Sequence, residues 1–285
     1  MIKIVADTTS GIPVAKAKEM GIIYIPQVIM FGEKSYFDDN ELNTETFLQM
    51  LVKSKTLPQT AAPPPSLYNP VFKEFGGQGN TIFVICPSTK QSGTARSATI
   101  AAQEFPESDI RVIDSMVIGA GLANLVIKAK EWVDAGWDAN CIEKELNDLA
   151  SREKNYFIVD TLEFLHKGGR IGGAKALVGG LLQVKPILGI RNGQAEPIES
   201  QRTHRRALMR LKELMLAECP KGKDSLLSIM HGDAEDVADK LAQEFAELFE
   251  LPEVPVYELT PAFLVHAGPG VLGVSFFTKK ADYDE

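Results

Sequence analysis

The order of apolar and amphipathic segments constrains the fold of this chain more than any other feature of its sequence. Short β-rich runs at Ile2–Asp7, Thr81–Cys86 and 110–114 alternate with amphipathic stretches of helical length at 94–104 and 121–133. Strands and helices that alternate in this way form parallel βαβ units. The sequence therefore predicts an α/β fold with parallel or mixed sheets flanked by helices.

The length of the chain and a change in pattern predict two domains. A chain of 285 residues has room for about two domains of ~150 residues. A charged helix end meets an apolar strand near 152–155. We therefore expect an N-terminal α/β domain over 1–153 and a C-terminal α/β domain over 154–285.

Five local patterns give more specific expectations. The segment 22–31 predicts one strand, and the proline-rich segment 56–65 predicts an ordered loop or linker. Asn192-Gly193 between two β-rich runs predicts a hairpin. The uncharged stretch 259–278 predicts a buried strand–loop–strand. A helix over 234–249 has four apolar residues predicted on one face, Val237, Leu241, Phe245 and Leu248.

The net charge of −8, from 30 basic and 38 acidic residues, disfavours general binding to nucleic acid or to an anionic membrane surface. Cys86, Cys141 and Cys219 lie too far apart in sequence for a zinc motif or a disulfide framework. Asp7 comes too early for a signal-peptide core. Together with the interrupted stretch 259–278, these features predict a cytoplasmic protein without a transmembrane segment or a metal site.

Two glycine-rich segments resemble nucleotide-binding motifs only in part. In the segment 119–124, Asn124 stands where a dinucleotide fingerprint has its third glycine, so we expect a packing role. In the segment 168–175, Ala174 separates Gly173 from Lys175, and no Ser or Thr follows. The sequence therefore disfavours nucleotide binding.

Polar residues follow several predicted strands, at 7–9, 88–94 and 114–115. Ligands of open α/β sheets bind outside the carboxyl ends of the strands. Ser92-Gly93-Thr94 begins a predicted helix, where free backbone N–H groups favour an anion and Gly93 allows close approach. Helix capping explains 8–10 better than a ligand site does. A serine hydrolase using Ser92 and His266 stays an alternative, although Gln91-Ser92-Gly93 lacks the G-x-S-x-G pattern.

Seven short motifs, in order along essentially the whole chain, resemble the DegV family of fatty-acid-binding proteins. They are 7–10 (DTTS), 60–63 (TAAP), 88–94 (STKQSGT), 114–115 (DS), 162–171 (LEFLHKGGRI), 185–188 (KPIL) and 266–270 (HAGPG). The sequence departs from the usual family pattern at Ala61, Ala62 and Ala267. The resemblance implies two α/β domains with a fatty acid between them.

The resemblance also implies roles for individual residues. Thr60 and Ser92 are expected to hydrogen-bond the fatty acid carboxylate, with the amides near Gly93 and Thr94 assisting. A basic pair near the headgroup is expected from two further residues, Arg170 and His266.

The resemblance implies a carrier and not an enzyme, without a catalytic residue, cofactor or metal of its own. A separate fatty acid kinase is expected to phosphorylate the presented carboxylate. The apolar stretches 176–182 and 262–265 are expected to line the acyl tunnel, although a plain core role explains them equally well.

Overall fold

The computed structural model describes residues 1–39, 41–77, 79–178 and 184–280. The first elements are β1 (Ile2–Asp7), α1 (Val14–Glu19), β2 (Ile23–Ile25), β3 (Val28–Phe31), β4 (Lys34–Phe37), α2 (Thr44–Lys53), β5 (Gln59–Ala61), α3 (Asn69–Phe75), β6 (Thr81–Cys86), α4 (Thr94–Ala102), β7 (Asp109–Asp114), α5 (Ala120–Asp134) and α6 (Ala139–Ser151). They are followed by β8 (Glu153–Ile158), α7 (Glu163–Lys167), β9 (Lys185–Arg191), β10 (Gln194–Gln201), α8 (His204–Glu218), β11 (Ser228–Gly232), α9 (Glu235–Leu248), β12 (Val256–Glu258), α10 (Pro261–Ala267) and β13 (Val271–Phe277). None of these described helices is long and apolar enough to cross a membrane.

The first sheet has the strand order β2-β1-β6-β7, and all neighbouring strands in it are parallel. Every residue of β6 is buried, which is typical of a parallel strand covered on both faces. Helices α4 and α5 follow β6 and β7 in the chain, as the sequence pattern predicts. The predicted α/β fold is confirmed.

A small antiparallel sheet with the order β4-β3-β5 corrects two predictions. The single strand predicted over 22–31 is divided at Pro26, which has no N–H to donate to a strand partner. β2 therefore joins the first sheet, and β3 joins the small one. The predicted loop over 56–65 contains β5, in which Thr60 pairs with Ile29. Thr60 is thus held by a strand.

The strands after residue 152 form a six-stranded mixed sheet with the order β10-β9-β8-β13-β11-β12. β9 and β10 are antiparallel neighbours joined at Asn192 and Gly193. These two residues have φ values of 51° and 78°, as a type I′ turn requires at both central positions. The predicted hairpin is confirmed.

The segment 259–278 contains α10 before β13, so the predicted strand–loop–strand is wrong for its first part. Pro261 lies in the first turn of α10, where its missing N–H costs no helical hydrogen bond. Gly268 ends the helix with a φ of 74°. A short apolar run has the same composition in a buried helix as in a buried strand, and periodicity does not separate the two.

The face that helix α9 turns to the core contains two of the four predicted residues, Leu241 and Phe245. Val237 and Leu248 are 37% and 36% exposed. The buried face consists of Ala238, Leu241, Ala242 and Phe245. Two small residues, Ala238 and Ala242, lie in this stripe beside Leu241 and Phe245. The buried stripe therefore keeps helical spacing, although half of its side chains are small.

A hydrophobic core lies between the parallel sheet and the six-stranded sheet, with α5 packed against both. Leu122, Ala123, Leu125 and Val126 of α5 are buried there. A Cβ atom on Gly121 would lie 2.6 Å from a carboxylate oxygen of Glu153, so this glycine lets α5 approach the six-stranded sheet closely. All strands of the parallel sheet come before residue 153, and the six-stranded sheet begins there. The division into domains 1–153 and 154–285 stays a prediction.

Candidate functional site

An apolar cavity lies between the two larger sheets. Its cavity volume is about 110 Å³. Its apolar lining comes from both halves of the chain and includes Ile118, Phe157, Ile190, Met230, Phe263 and Val271. Mostly apolar walls with a few polar groups are typical of small-molecule sites.

Five of the six predicted site residues line this cavity: Thr60, Ser92, Gly93, Arg170 and His266. The sixth, Thr94, is buried behind Ser92, and the two hydroxyl oxygens lie 2.8 Å apart. The structure therefore brings the predicted polar residues together at one wall, although they are spread over more than 200 positions of the sequence, as the separation of 206 between Thr60 and His266 illustrates.

A second, more polar recess adjoins the apolar cavity. It is lined by Leu57, Pro58, Gln59, Lys167, Gly168 and Gly169, among others. Thr60, Arg170 and His266 line both the recess and the cavity. These three residues therefore mark the boundary between an apolar interior and a polar surface.

His266 lies on α10 and contacts the hydroxyl of Thr60 through Nε2, at 2.7 Å. Its Nδ1 atom is buried without a hydrogen-bond partner among the described residues. Burial, and then the positive charge of Arg170, lower the pKa of His266 to about 4. His266 is therefore neutral near pH 7 in this structure, and the expected basic pair has one permanent cation, Arg170.

Arg170 connects the two halves of the site. Its Nη1 donates to the carbonyl oxygen of Gly168 at 2.7 Å, and its Nε donates to the carbonyl oxygen of Gln91 at 3.2 Å. Burial lowers the pKa of Arg170, but a guanidinium stays protonated in proteins. The site thus holds a half-buried positive charge beside the Ser92 loop.

The Ser92 loop ends at the amino terminus of α4, a helix of nine residues with Gly93 at its N-cap position. The positive end of the helix dipole therefore adjoins the cavity wall. A Cβ atom on Gly93 would lie 3.3 Å from the Cβ atom of Ala62. Gly93 thus allows the helix terminus to pack closely against the residue that follows β5.

Sequence reasoning missed Gln27, which lines the cavity and is buried. Its Nε2 donates to Asp7 Oδ2 at 2.7 Å and to Thr94 Oγ1 at 2.9 Å. Asp7 also accepts the backbone N–H of Thr9 at 2.9 Å, which agrees with the predicted capping role of this segment. A polar residue directly after Pro26, within an otherwise apolar run, is the sequence signal that could have identified Gln27.

The predicted tunnel-lining segments are placed only in part. Gly179, Gly180, Leu181 and Leu182 lie outside the described residues, and 176–178 do not line the cavity. In the other segment, Ala262 and Phe263 line the cavity, and Val265 lines the polar recess. Leu264 is fully buried in the core instead.

Comparison with known proteins decides the family. The model of the DegV family, described as an uncharacterised protein family, matches residues 1–279. The chain belongs to the DegV family. A DegV domain-containing protein of Halalkalibacterium halodurans is 32% identical and covers 98% of this chain and 99% of its own. Protein DegV of Bacillus subtilis is 31% identical, with the same shares covered.

Solved DegV structures share the fold over nearly the whole chain. A DegV family protein from Thermus thermophilus, described by its fatty acid binding, has a TM-score of 0.89 and 29% identity and covers 98% of this chain and 99% of its own. Bacillus subtilis DegV, described as a fatty acid binding protein, has a TM-score of 0.85 and 30% identity with the same coverage. The stearic acid-binding protein of Eubacterium ventriosum, at 23% identity and a TM-score of 0.87, supports the fold alone and covers 98% of this chain and 99% of its own.

Proposed function

We propose that this chain binds a long-chain fatty acid, with the tail in the apolar cavity and the carboxylate at Thr60, Ser92, Arg170 and His266. The observation that carries this proposal is the position of Thr60, Arg170 and His266 where an apolar cavity meets a polar recess, with the Ser92 hydroxyl in the lining of the same cavity. The DegV proteins of Thermus thermophilus and Bacillus subtilis, which are described as binding fatty acids, support it.

The energetics of such a ligand fit the two kinds of lining. Burial of an acyl chain contributes about 0.8 kcal/mol per methylene, so ~14 methylenes contribute on the order of 11 kcal/mol before losses. A carboxylate that leaves water must be paired with donors or a cation. The hydroxyls of Thr60 and Ser92 and the guanidinium of Arg170 supply these groups, and the amides near Gly93 and Thr94 assist.

The carboxylate end would face the polar recess, where Gln59 and Lys167 form part of the lining. We propose that a separate kinase reaches the carboxylate there and phosphorylates it to an acyl phosphate, while the nucleotide and metal bind to the kinase. In this division of work, the region 1–153 supplies the headgroup hydroxyls, and the region 154–285 supplies Arg170, His266 and the larger part of the tail site. A cytoplasmic location suits this exchange.

Mass spectrometry of the denatured, solvent-extracted protein tests the binding proposal. We expect a co-purifying long-chain fatty acid in near-stoichiometric amount. Changing both Thr60→Ala and Ser92→Ala should weaken binding by a few kcal/mol, at ~1.5–3 kcal/mol per charge-assisted hydrogen bond. The matched control changes Ser97→Ala and Thr99→Ala on α4, outside the cavity lining. An empty cavity that also takes up no fluorescent fatty acid would contradict the proposal.

The alternative function is a lipid esterase that uses Ser92 and His266. In a serine hydrolase, the histidine hydrogen-bonds the serine nucleophile. Here His266 contacts Thr60, and the Ser92 hydroxyl contacts Thr94. These contacts favour the carrier. Turnover of an acyl ester that disappears in Ser92→Ala would establish the hydrolase instead.

The kinase step has its own test. Protein loaded with a fatty acid is incubated with ATP and an extract of the source cells, and acyl phosphate is trapped with hydroxylamine. We expect a hydroxamate of the bound acid, and much less of it with the Thr60→Ala and Ser92→Ala double variant. A loaded protein that yields no hydroxamate would restrict the function to storage or transport.

A further inference from the structure

A chain of hydrogen bonds runs from the buried end of β1 to the hydroxyl of Ser92. It begins at Asp7, which is 2% exposed. The contacts of its carboxylate are donors: the backbone N–H and hydroxyl of Thr9, and the side-chain amide of Gln27. Burial raises the pKa of Asp7, and the hydrogen bonds that it accepts lower it by stabilising the ionised form, which has acceptors only. Asp7 therefore fixes the orientation of any amide that contacts it.

Gln27 is the next member of the chain and is 3% exposed. Because Asp7 accepts, the NH₂ group of Gln27, and not its carbonyl oxygen, must face it. The two protons of that group go to Asp7 Oδ2 at 2.7 Å and to Thr94 Oγ1 at 2.9 Å. The backbone N–H of Gln27 also donates to Thr8 Oγ1 at 3.2 Å, which holds the residue in place. Thr94 therefore receives a hydrogen bond from Gln27.

Thr94 is in turn a hydrogen-bond donor to Ser92. Its hydroxyl oxygen accepts from Gln27 and lies 2.8 Å from Ser92 Oγ, and we assign its proton to Ser92 because Asp7, its other neighbour, already accepts from Thr9 and Gln27. The backbone N–H of Thr94 also points to Ser92 Oγ, at 3.3 Å. Ser92 Oγ then accepts two hydrogen bonds, both from Thr94. A hydroxyl has one proton of its own. That proton is left for the cavity, which Ser92 lines.

We propose that Asp7 and Gln27 are positioning residues that act through Thr94 to fix the hydroxyl of Ser92 as a hydrogen-bond donor to the cavity. The cavity consequently prefers a carboxylate to a neutral alcohol of the same length, because both oxygens can accept from Ser92 but the hydrogen bond to an ionised acceptor is stronger. This inference rests on the proposed function, since it assigns the discrimination of headgroups to the same site. Neither Asp7 nor Gln27 needs to touch the ligand for this effect.

Binding of two ligands that share a tail tests the proposal. Delipidated protein is titrated with palmitate and with 1-hexadecanol, and the ratio of the two Kd values measures the headgroup preference. Gln27→Leu keeps the size of the side chain but removes its donors. We expect palmitate to bind about tenfold more weakly to this variant, with little change for hexadecanol, because hydrogen bonds to charged groups are the stronger ones.

Asp7→Asn is the second variant, because an Asn side chain can donate to Gln27 and so reverse the direction of the chain. It keeps a residue type that caps helices well, and we expect the same selective loss for palmitate. Thr81→Val is the matched control. Thr81 is the first residue of β6, at the end far from the Ser92 loop. Its side chain is buried, and its hydroxyl donates to Asp109. Both affinities should stay unchanged in this control.

Each outcome has a distinct meaning. A wild type that binds neither ligand overturns the proposed function, and this inference with it. A wild type that binds palmitate, with a Gln27→Leu variant that weakens both ligands equally or neither of them, overturns only the positioning role. If Gln27→Leu does not fold, Thr94→Val and Thr94→Ser replace it. The valine variant should lose the preference for palmitate, and the serine variant should recover most of it.

Discussion

At the scale of single residues, the neutral imidazole of His266 gives the site a dependence on pH. Its pKa of about 4 reflects burial and the nearby Arg170. A ligand carboxylate beside the imidazole adds a negative charge, which raises the pKa of a histidine. We therefore predict that fatty acid binding takes up protons between about pH 4 and the raised pKa of the complex, and that affinity increases as the pH falls through this window, because the complex binds more protons than the free protein.

Isothermal titration calorimetry in buffers with different ionisation enthalpies measures this proton uptake directly. His266→Gln is the control, since a glutamine amide can still donate to Thr60 but does not titrate. We expect the uptake to disappear in this variant. Unchanged uptake would mean that another group accepts the proton and that His266 has only a hydrogen-bonding role.

The residues of the site differ in how far the sequence predicts them. Thr60, Ser92, Arg170 and His266 lie in recognisable motifs, and the structure places them in one cavity wall. Gln27 lies in no such motif. Its contact with Thr94 joins positions 67 residues apart, and it depends on the division of the predicted strand 22–31 at Pro26. A contact between the β2–β3 connection and the start of α4 cannot be read from local patterns.

At the scale of elements, Asp38 holds the start of α10. Its Oδ2 accepts the backbone N–H of Ala262 at 3.2 Å, and burial raises the pKa of Asp38 to about 8. The folded state therefore holds a proton that the unfolded state releases near pH 4. We predict that this contribution to stability is complete below pH 4 and is lost as the pH rises from 4 through 8.

Asp38→Asn is the matched variant, because its amide oxygen can still accept from Ala262 but does not ionise. Urea unfolding at pH 5 and at pH 8 compares the two proteins. Relative to Asp38→Asn, the wild type should lose about 3–4 kcal/mol between these pH values, at 1.36 kcal/mol per unit of pKa difference. A stability difference that is the same at both pH values would contradict the prediction.

The β9–β10 hairpin is tied to the Ser88 loop. Ser88 Oγ donates to the carbonyl oxygen of Gly193 at 2.7 Å, and a Cβ atom on Gly193 would lie 2.3 Å from that same Oγ. We predict that Gly193→Ala destabilises the protein by about 2–4 kcal/mol, from left-handed backbone strain and steric overlap together. Denaturant unfolding measures the loss.

Gly136→Ala separates these two causes. Gly136 has a φ of 79°, close to the 78° of Gly193, but no atom lies within 4 Å of the position its Cβ would take. This control should lose only about 1–2 kcal/mol, from the backbone strain. Equal losses in the two variants would show that Ser88 moves away from the added Cβ atom without lowering the free energy of unfolding.

The elements that sequence patterns predict well are those with local determinants. The hairpin at Asn192 and Gly193 is fixed by two residues that tolerate positive φ. β5 and α10 are short, with three and seven residues, and each is stabilised by packing against β3. Their structure is set by tertiary contact, which overrides the local signals of proline and apolar composition.

At the scale of the whole molecule, the net charge of −8 does not describe the site. Arg170 and the amino end of α4 create a local environment that favours an anion inside an acidic protein. The shared core around α5 holds the two larger sheets together beside this cavity. The composition describes the net charge of the whole chain, and only the fold shows that the charge at the site is positive.

A ligand held between the two sheets should stabilise the molecule as one unit. Thr60 and Ser92 come from the region 1–153, and Arg170 and His266 come from the region 154–285, so a fatty acid at this site would contact both halves of the chain. At a free concentration of 100 times Kd, binding adds about 2.7 kcal/mol of stability, or a Tm rise of roughly 5 °C.

Differential scanning calorimetry of delipidated protein, with and without palmitate, should show one transition that moves as a whole. The Thr60→Ala and Ser92→Ala double variant should move less at the same palmitate concentration. Two transitions, of which only one responds to palmitate, would show that the ligand contacts a single half of the chain.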